Sequence, residues 1–137
     1  MSKEKIYIFD TTLRDGAQTE GVDFSLEDKH KIAKVLSEIG VDYIEGGWPG
    51  ANLVDTEFFS KPLKLNKSIF TAFGMTKKTG RSAENDPSLA PLISAACPAA
   101  CVVGKAWDFH VKVALGLSIE DNIENIKDIG KHIVKNN

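Results

Sequence analysis

Short apolar runs alternate along this chain with longer stretches in which apolar residues recur at helical spacing. Ile6–Phe9 reads as a first strand. Ser25 is placed as a helix N-cap with Asp28 three residues on, a weaker version of the capping-box acid. Ile32, Val35, Leu36 and Ile39 follow at helical spacing, and Gly40 fits the C′ stop. Tyr43–Glu45 reads as a second strand running into Gly46-Gly47-Trp48-Pro49-Gly50, an irregular loop where backbone can approach a ligand closely. A short helix is expected over Asp55–Ser60, a third strand over Ser68–Phe73, and loop from Gly74 to Asn85. Asp86-Pro87 makes an N-cap and N1 pair opening a helix through Leu89, Leu92 and Ile93. Ala100–Gly104 is a fourth strand. Ser118 caps a last helix with Ile119, Ile123, Ile126, Ile129 and Ile133 on or near one face.

The predicted order is βαβαβαβα, which implies a parallel sheet joined by helical crossovers. Two α/β architectures fit. One is a small doubly wound sheet. The other is four βα units of a (β/α)8 TIM barrel, since a whole barrel takes roughly 250 residues and this chain has 137. Pattern alone favours the first, because half a barrel leaves its first and last strands without partners and exposes two edges.

Composition narrows the function. Apolar residues make up 42% and charged residues 26%, as in a globular domain. The net charge of −2, with scattered lysines, gives no support for a nucleic-acid surface. No apolar run is long enough to span a bilayer; Leu89–Val103 is broken by Pro91, Ser94 and Pro98. The first residues, Met1-Ser2-Lys3-Glu4-Lys5, lack the apolar segment of a signal peptide, so a cytoplasmic location and no membrane partner are expected. Cys97 and Cys101 are four apart, not the spacing of a redox or zinc pair, and read as reduced, buried thiols.

The candidate chemistry is concentrated in Asp10-Thr11-Thr12-Leu13-Arg14-Asp15-Gly16-Ala17-Gln18-Thr19, directly after the first strand. The carboxyl ends of strands are where α/β folds place their sites. Asp15 is a hard oxygen ligand suited to a divalent cation, though an Asp after a strand is often only a turn residue. Arg14 is a fixed fork suited to a carboxylate or a developing enolate oxygen; its bland alternative is an ion pair with Asp10 or Glu45. Glu45 ends the second strand and should face the same mouth. Gln18 and Thr12 are polar loop residues able to bond a substrate or brace the loop. Gly104-Lys105 is not a P-loop, because no G-x-x-x-x-G-K-[ST] frames it. His30 and His132 lie in predicted helices and read as surface or packing residues, and a structural role for His110 is nearly as well supported as a functional one.

The DTTLRDGAQ stretch resembles the opening motif of the isopropylmalate/homocitrate synthase family of metallolyase-type TIM barrels, which also includes hydroxymethylglutaryl-CoA lyase. Most of that family has an acidic residue where Ala17 stands. Ala17 followed by Gln18-Thr19-Glu20-Gly21, the segment EGGWPG at residues 45–50, and GKAWDFHV at 104–111 resemble its citramalate synthase branch. The resemblance spans essentially the whole chain and implies a half barrel. It makes residues 1–137 the N-terminal half of a pyruvate carboxyltransferase-like catalytic domain.

The activity so implied is acyl transfer. Acetyl-CoA condenses with pyruvate to give (R)-citramalate and CoA, a step in isoleucine biosynthesis. The resemblance makes Asp15 a ligand of a divalent metal (Mn2+, Mg2+ or Zn2+). It places Arg14 against the keto oxygen, Glu45 beside Arg14 as an orienting or proton-handling group, and Gln18, Thr12 and His110 as substrate contacts. Asp108 joins His110 at the rim, and Thr71–Met75 lines the keto-acid pocket. The partners expected are a 2-oxo acid and acetyl-CoA, with a homodimer in the full-length protein. The family's metal site is completed by a His-x-His pair on a later strand, and these residues contain none. The 137-residue chain is therefore expected to be inactive alone. Other readings are a 2-isopropylmalate synthase, a related lyase, or a non-catalytic α/β binding or assembly module.

Overall fold

The computed structural model describes residues 4–136. Its elements run β1 (Phe9–Asp10), α1 (Leu26–Glu38), β2 (Tyr43–Gly47), α2 (Leu53–Phe58), β3 (Ile69–Met75), α3 (Ala90–Ile93), β4 (Ala99–Val103), α4 (Asp108–His110) and α5 (Ile119–Asn136). The strand order is β1-β2-β3-β4. Strand β2 runs parallel to both β1 and β3. A doubly wound sheet reverses its order at a switch point. This order never reverses, which rules out the doubly wound alternative and leaves the barrel-type succession.

The chain forms two compact units. One holds the residues up to Phe73 together with Ala95–Cys101; the other holds Gly74–Ser94 and Val102 onward. Among the described residues, no helix is long and apolar enough to cross a membrane.

In the first unit the edge strand is shorter than the apolar run suggests. Only Phe9–Asp10 is strand, and Ile6 is 84% exposed. The Asp42 carboxylate takes the Ile8 N–H at 2.8 Å, so a side chain replaces the ladder bond ahead of Phe9. Tyr43 then packs edge-on to Tyr7 and stacks on Phe9.

Helix α1 starts where the pattern puts it. Ser25 Oγ accepts from Asp28 N, and the Asp28 carboxylate accepts from Ser25 N, completing the capping box. Gly40, at φ 96°, supplies the left-handed stop. The inward face differs from the apolar stripe. Lys29, Ala33 and Ser37 are buried, one turn apart, while Val35 and Ile39 are 56% and 72% exposed. Lys29 finds all its partners inside, which fixes the rotation of the helix.

Hydrogen bonds from Ser25 hold the Asp28 carboxyl below its ordinary value of 3.8. A depressed carboxyl stabilises the fold above its unfolded pKa, and that contribution is lost as pH falls through the folded one. Ser25→Ala should therefore destabilise the fold at neutral pH, by loss of the helix cap. Urea midpoints should show the gap to wild type narrowing below pH 3.8.

The first unit's core is aromatic. Phe58, Phe59 and Phe70 form a cluster, with Phe59 stacked on Phe70 at 4.6 Å and Phe58 edge-on at 5.0 Å. His30 joins it, edge-on to Phe58, as a packing residue. Helix α2 begins at Leu53, two residues ahead of the predicted Asp55, because the Asn52 side chain caps it by accepting from Asp55 N.

Two expectations change in the second unit. Asp86-Pro87 does not open a helix; α3 starts at Ala90. The Asp86 carboxylate is spent on Lys78 N, Ser88 N and Ser88 Oγ, which closes a turn instead. Ser118 caps α5 as expected, through Asp121 N. The isoleucine stripe of α5 is only partly internal, because Asn122 and Asn125 are buried beside Ile129. Their amides bond Lys105 O and Thr79 Oγ1.

Candidate active site

The site lies in the first unit, at the carboxyl ends of β1 and β2. After Asp10 the backbone turns sharply: the N–H groups of Arg14, Asp15 and Gly16 all point at Thr11 O. Asp10 tightens this turn by accepting from Thr12 N and Thr12 Oγ1, each at 3.0 Å. Thr12 thus braces the loop. Leu13 is fully buried and anchors it. Arg14, next in sequence, is therefore presented from a fixed backbone.

Arg14 is the hub. Its Nε donates to Glu45 Oε2 at 2.6 Å and its Nη1 to Asp15 Oδ1 at 2.9 Å. The guanidinium lies 4.2 Å above the Phe73 ring, a cation–π contact. Trp48 packs edge-on to the same ring at 5.3 Å. Phe73, from the predicted pocket-lining stretch, thus backs both residues. Glu45 is 1% exposed, so its carboxylate is held by Arg14 rather than by water. Asp15 keeps 62% of its side chain exposed. Gln18 ends the short 3-10 turn Gly16–Gln18 and faces the same opening.

That opening is a cavity of about 660 Å³. Arg14, Gln18, Trp48, Asn52, Lys29 and Asp55 are among its lining residues. Its size suits a small-molecule ligand. At this strand end residues 46 and 47 can pass so close only as glycine. A Cβ at Gly46 would meet the Phe70 ring, and one at Gly47 would meet the Asp55 carboxylate.

Two features were not anticipated from the sequence. Lys29 and Asp55 form a buried ion pair at the cavity floor. Only the buried polar rows Lys29-Ala33-Ser37 and Asn52-Asp55 could have signalled it, and both look like ordinary helix surface. Cys101, part-buried and free, has Glu45 as a neighbour. Burial and the Glu45 carboxylate push its thiol pKa up. Cys101 should accordingly alkylate slowly with iodoacetamide at pH 8, and Glu45→Gln should speed it. Peptide mass mapping would read both rates, and an unchanged rate would count against the Glu45 contribution.

His110 and Asp108 belong to the second unit, where both are exposed. The His110 ring lies 4.5 Å from Trp107. Asp108 accepts from Phe109 N and pairs with Lys112.

Among the described residues, no three His, Cys, Asp or Glu side chains gather as a metal-holding group. A divalent cation needs several oxygen or nitrogen donors. Asp15 supplies one carboxylate, already shared with Arg14. The residues described do not by themselves make up such a site.

The HMGL-like family model matches residues 5–137. The chain is 47% identical over 132 residues to the (R)-citramalate synthase of Aquifex aeolicus, covering 95% of the chain and 25% of that protein. It is 46% identical to the (R)-citramalate synthase of Geobacter sulfurreducens, covering 99% of the chain and 26% of that protein. The 2-isopropylmalate synthase of Sulfurisphaera tokodaii stands further off at 35%, covering 92% of the chain and 31% of that protein. The chain thus spans about a quarter of the length of the citramalate synthases it matches. Among solved structures, the HMG-CoA lyase of Bacillus subtilis superposes with a TM-score of 0.70 at 22% identity, over 95% of this chain and 43% of that one, a likeness of fold. The strand succession, the motif at the end of β1 and the family match converge, and the chain belongs to the HMGL-like family.

Proposed function

We propose that these residues are the N-terminal half of a TIM-barrel catalytic domain, and that the full-length protein condenses acetyl-CoA with pyruvate to (R)-citramalate and CoA. The carrying observation is the Arg14–Glu45 pair, held over Phe73 at the lip of the cavity. The greater identity to (R)-citramalate synthases than to 2-isopropylmalate synthases favours pyruvate over a larger 2-oxo acid.

Arg14 acts on the keto oxygen. An Arg fork has more N–H donors than its bonds to Glu45 and Asp15 use, so it can bond that oxygen as negative charge develops on it. Glu45 keeps the guanidinium in one orientation, so the donors are placed before the substrate arrives. Gln18 offers an amide to the substrate carboxylate, and Thr12 keeps the loop in register. His110 is assigned a substrate contact on the family resemblance alone. Asp15 is assigned as one donor to a divalent cation (Mn2+, Mg2+ or Zn2+), with the other donors supplied elsewhere in the full-length protein. A cytoplasmic homodimer completes the proposal.

The test uses the full-length protein, with CoA release followed by a thiol reagent. Pyruvate should outperform 2-oxoisovalerate, and the 137-residue chain alone should be inactive. Preference for 2-oxoisovalerate would transfer the assignment to isopropylmalate synthesis. Absence of CoA release with every 2-oxo acid would sink it. Mn2+ titration, read by water proton relaxation, should lose its effect in Asp15→Ala.

A further inference from the structure

The Lys29 ammonium is buried and uses its N–H donors on three groups: Leu13 O at 2.9 Å, Gly46 O at 2.9 Å and the Asp55 carboxylate. The choice of carbonyls is informative. Leu13 immediately precedes Arg14, and Gly46 immediately follows Glu45. One ammonium therefore ties together, from below, the two backbone segments that carry the Arg14–Glu45 pair. Asp55 extends the tie. Its Oδ1 takes Lys29, and its Oδ2 accepts from Trp48 N at 2.9 Å. Its own position is set by Asn52, which accepts from Asp55 N. The Cβ-free Gly47 lets this carboxylate sit against the strand end.

A buried ion pair is weak evidence for stability, since apolar replacements are often neutral. What this pair supplies is registration: the loop after β1 and the end of β2, whose Arg14 and Glu45 lie 31 residues apart, are held so that Arg14 Nε meets Glu45 Oε2. We propose that Lys29 and Asp55 are the positioning residues of the Arg14–Glu45 pair. Lys29 sets the spacing of the two strand ends, and Asp55 adds the Trp48 wall of the cavity. The functional half of this inference rests on the 2-oxo acid condensation proposed above; the geometric half does not.

Two measurements on the full-length protein separate those halves. In NMR, the Arg14 Nε–H should give a slowly exchanging signal, identified by its loss in Arg14→Lys. Lys29→Met should abolish it while amide signals of the second unit persist. In kinetics, Lys29→Met should lower kcat/KM for the 2-oxo acid by about 10²-fold, as expected for misplaced groups. KM for the 2-oxo acid should rise and KM for acetyl-CoA should stay put. Loss of folded protein alone would lower kcat and leave both KM values unchanged. A wild-type protein that condenses nothing would defeat the functional reading, and the NMR result would still decide the positioning role.

If Lys29→Met does not fold, Lys29→Met/Asp55→Leu removes both charges. Positioning predicts a folded protein that still lacks the Arg14 signal and the activity. Return of the signal together with folding would overturn the proposal. Failure of the double variant to fold would also overturn it, by assigning the pair to stability.

Discussion

Arg14→Ala in the full-length protein is expected to lower kcat/KM about 10²–10³-fold, the usual effect of removing a preorganised donor at a developing oxyanion. The structure explains why the loss should be so large. The guanidinium is fixed on three sides, by Glu45, by Asp15 and by the Phe73 ring beneath it. Such a donor needs no reorganisation when charge develops. Arg14→Lys should recover little of the activity. A lysine keeps the charge but cannot bond Glu45 through a side-on Nε while offering a second edge to substrate. Arg14→Ala also leaves Glu45 buried without its partner, which is costly for a carboxylate. CoA release at several 2-oxo acid concentrations is the measurement, and a variant within a few-fold of wild type would remove Arg14 from the site.

Gly46→Ala is expected to destabilise the first unit by about 3 kcal/mol, the upper end of overpacking effects. Its Cβ would lie 2.3 Å from one Phe70 ring carbon and 2.6 Å from another, and 3.0 Å from Phe58. The Phe70 ring cannot swing away, because Phe59 stacks on one face and Phe58 abuts it. The strand must move instead, and Glu45 moves with it. Gly130 provides the contrast. It lies inside α5, and an added Cβ there meets nothing within 4 Å. Gly130→Ala should stabilise by up to about 1 kcal/mol, by removing backbone freedom from the unfolded chain. Urea midpoints decide both, and an unshifted Gly46→Ala midpoint would contradict the Phe70 packing.

These two residues mark different degrees of legibility. The Arg14–Glu45 pair was readable, because each ends or follows an apolar strand and parallel strands bring their carboxyl ends to one side. Gly46 was readable only as part of a loop, whereas the structure makes it strand. Its glycine is required by ring packing, not by an unusual turn. Helix ends followed local chemistry, as the Ser25–Asp28 capping box and the Ser118 cap show. Asp86 does accept from Ser88 N, two residues on, but the residues from Pro87 to Leu89 form only a turn and the helix begins at Ala90.

Helix faces were the least legible. In α1 the apolar stripe through Val35 and Ile39 points outward, and in α5 two asparagines point in. A periodic pattern predicts an inward face only when apolar burial dominates the choice of rotation. In α1 a fully bonded lysine outweighs two exposed aliphatics. In α5 the buried amides bond loop groups of their own unit.

The sequence by itself determined the alternation of strands and helices, the caps that are satisfied within one turn, and the motif after β1 with its family resemblance. These depend on neighbours in the chain. Only the tertiary structure decided the unreversed strand order, the aromatic cluster that demands Gly46, and the Lys29–Asp55 tie beneath Arg14 and Glu45. Each of those joins groups from separate elements, and their partners are specified by packing distances that no local pattern encodes.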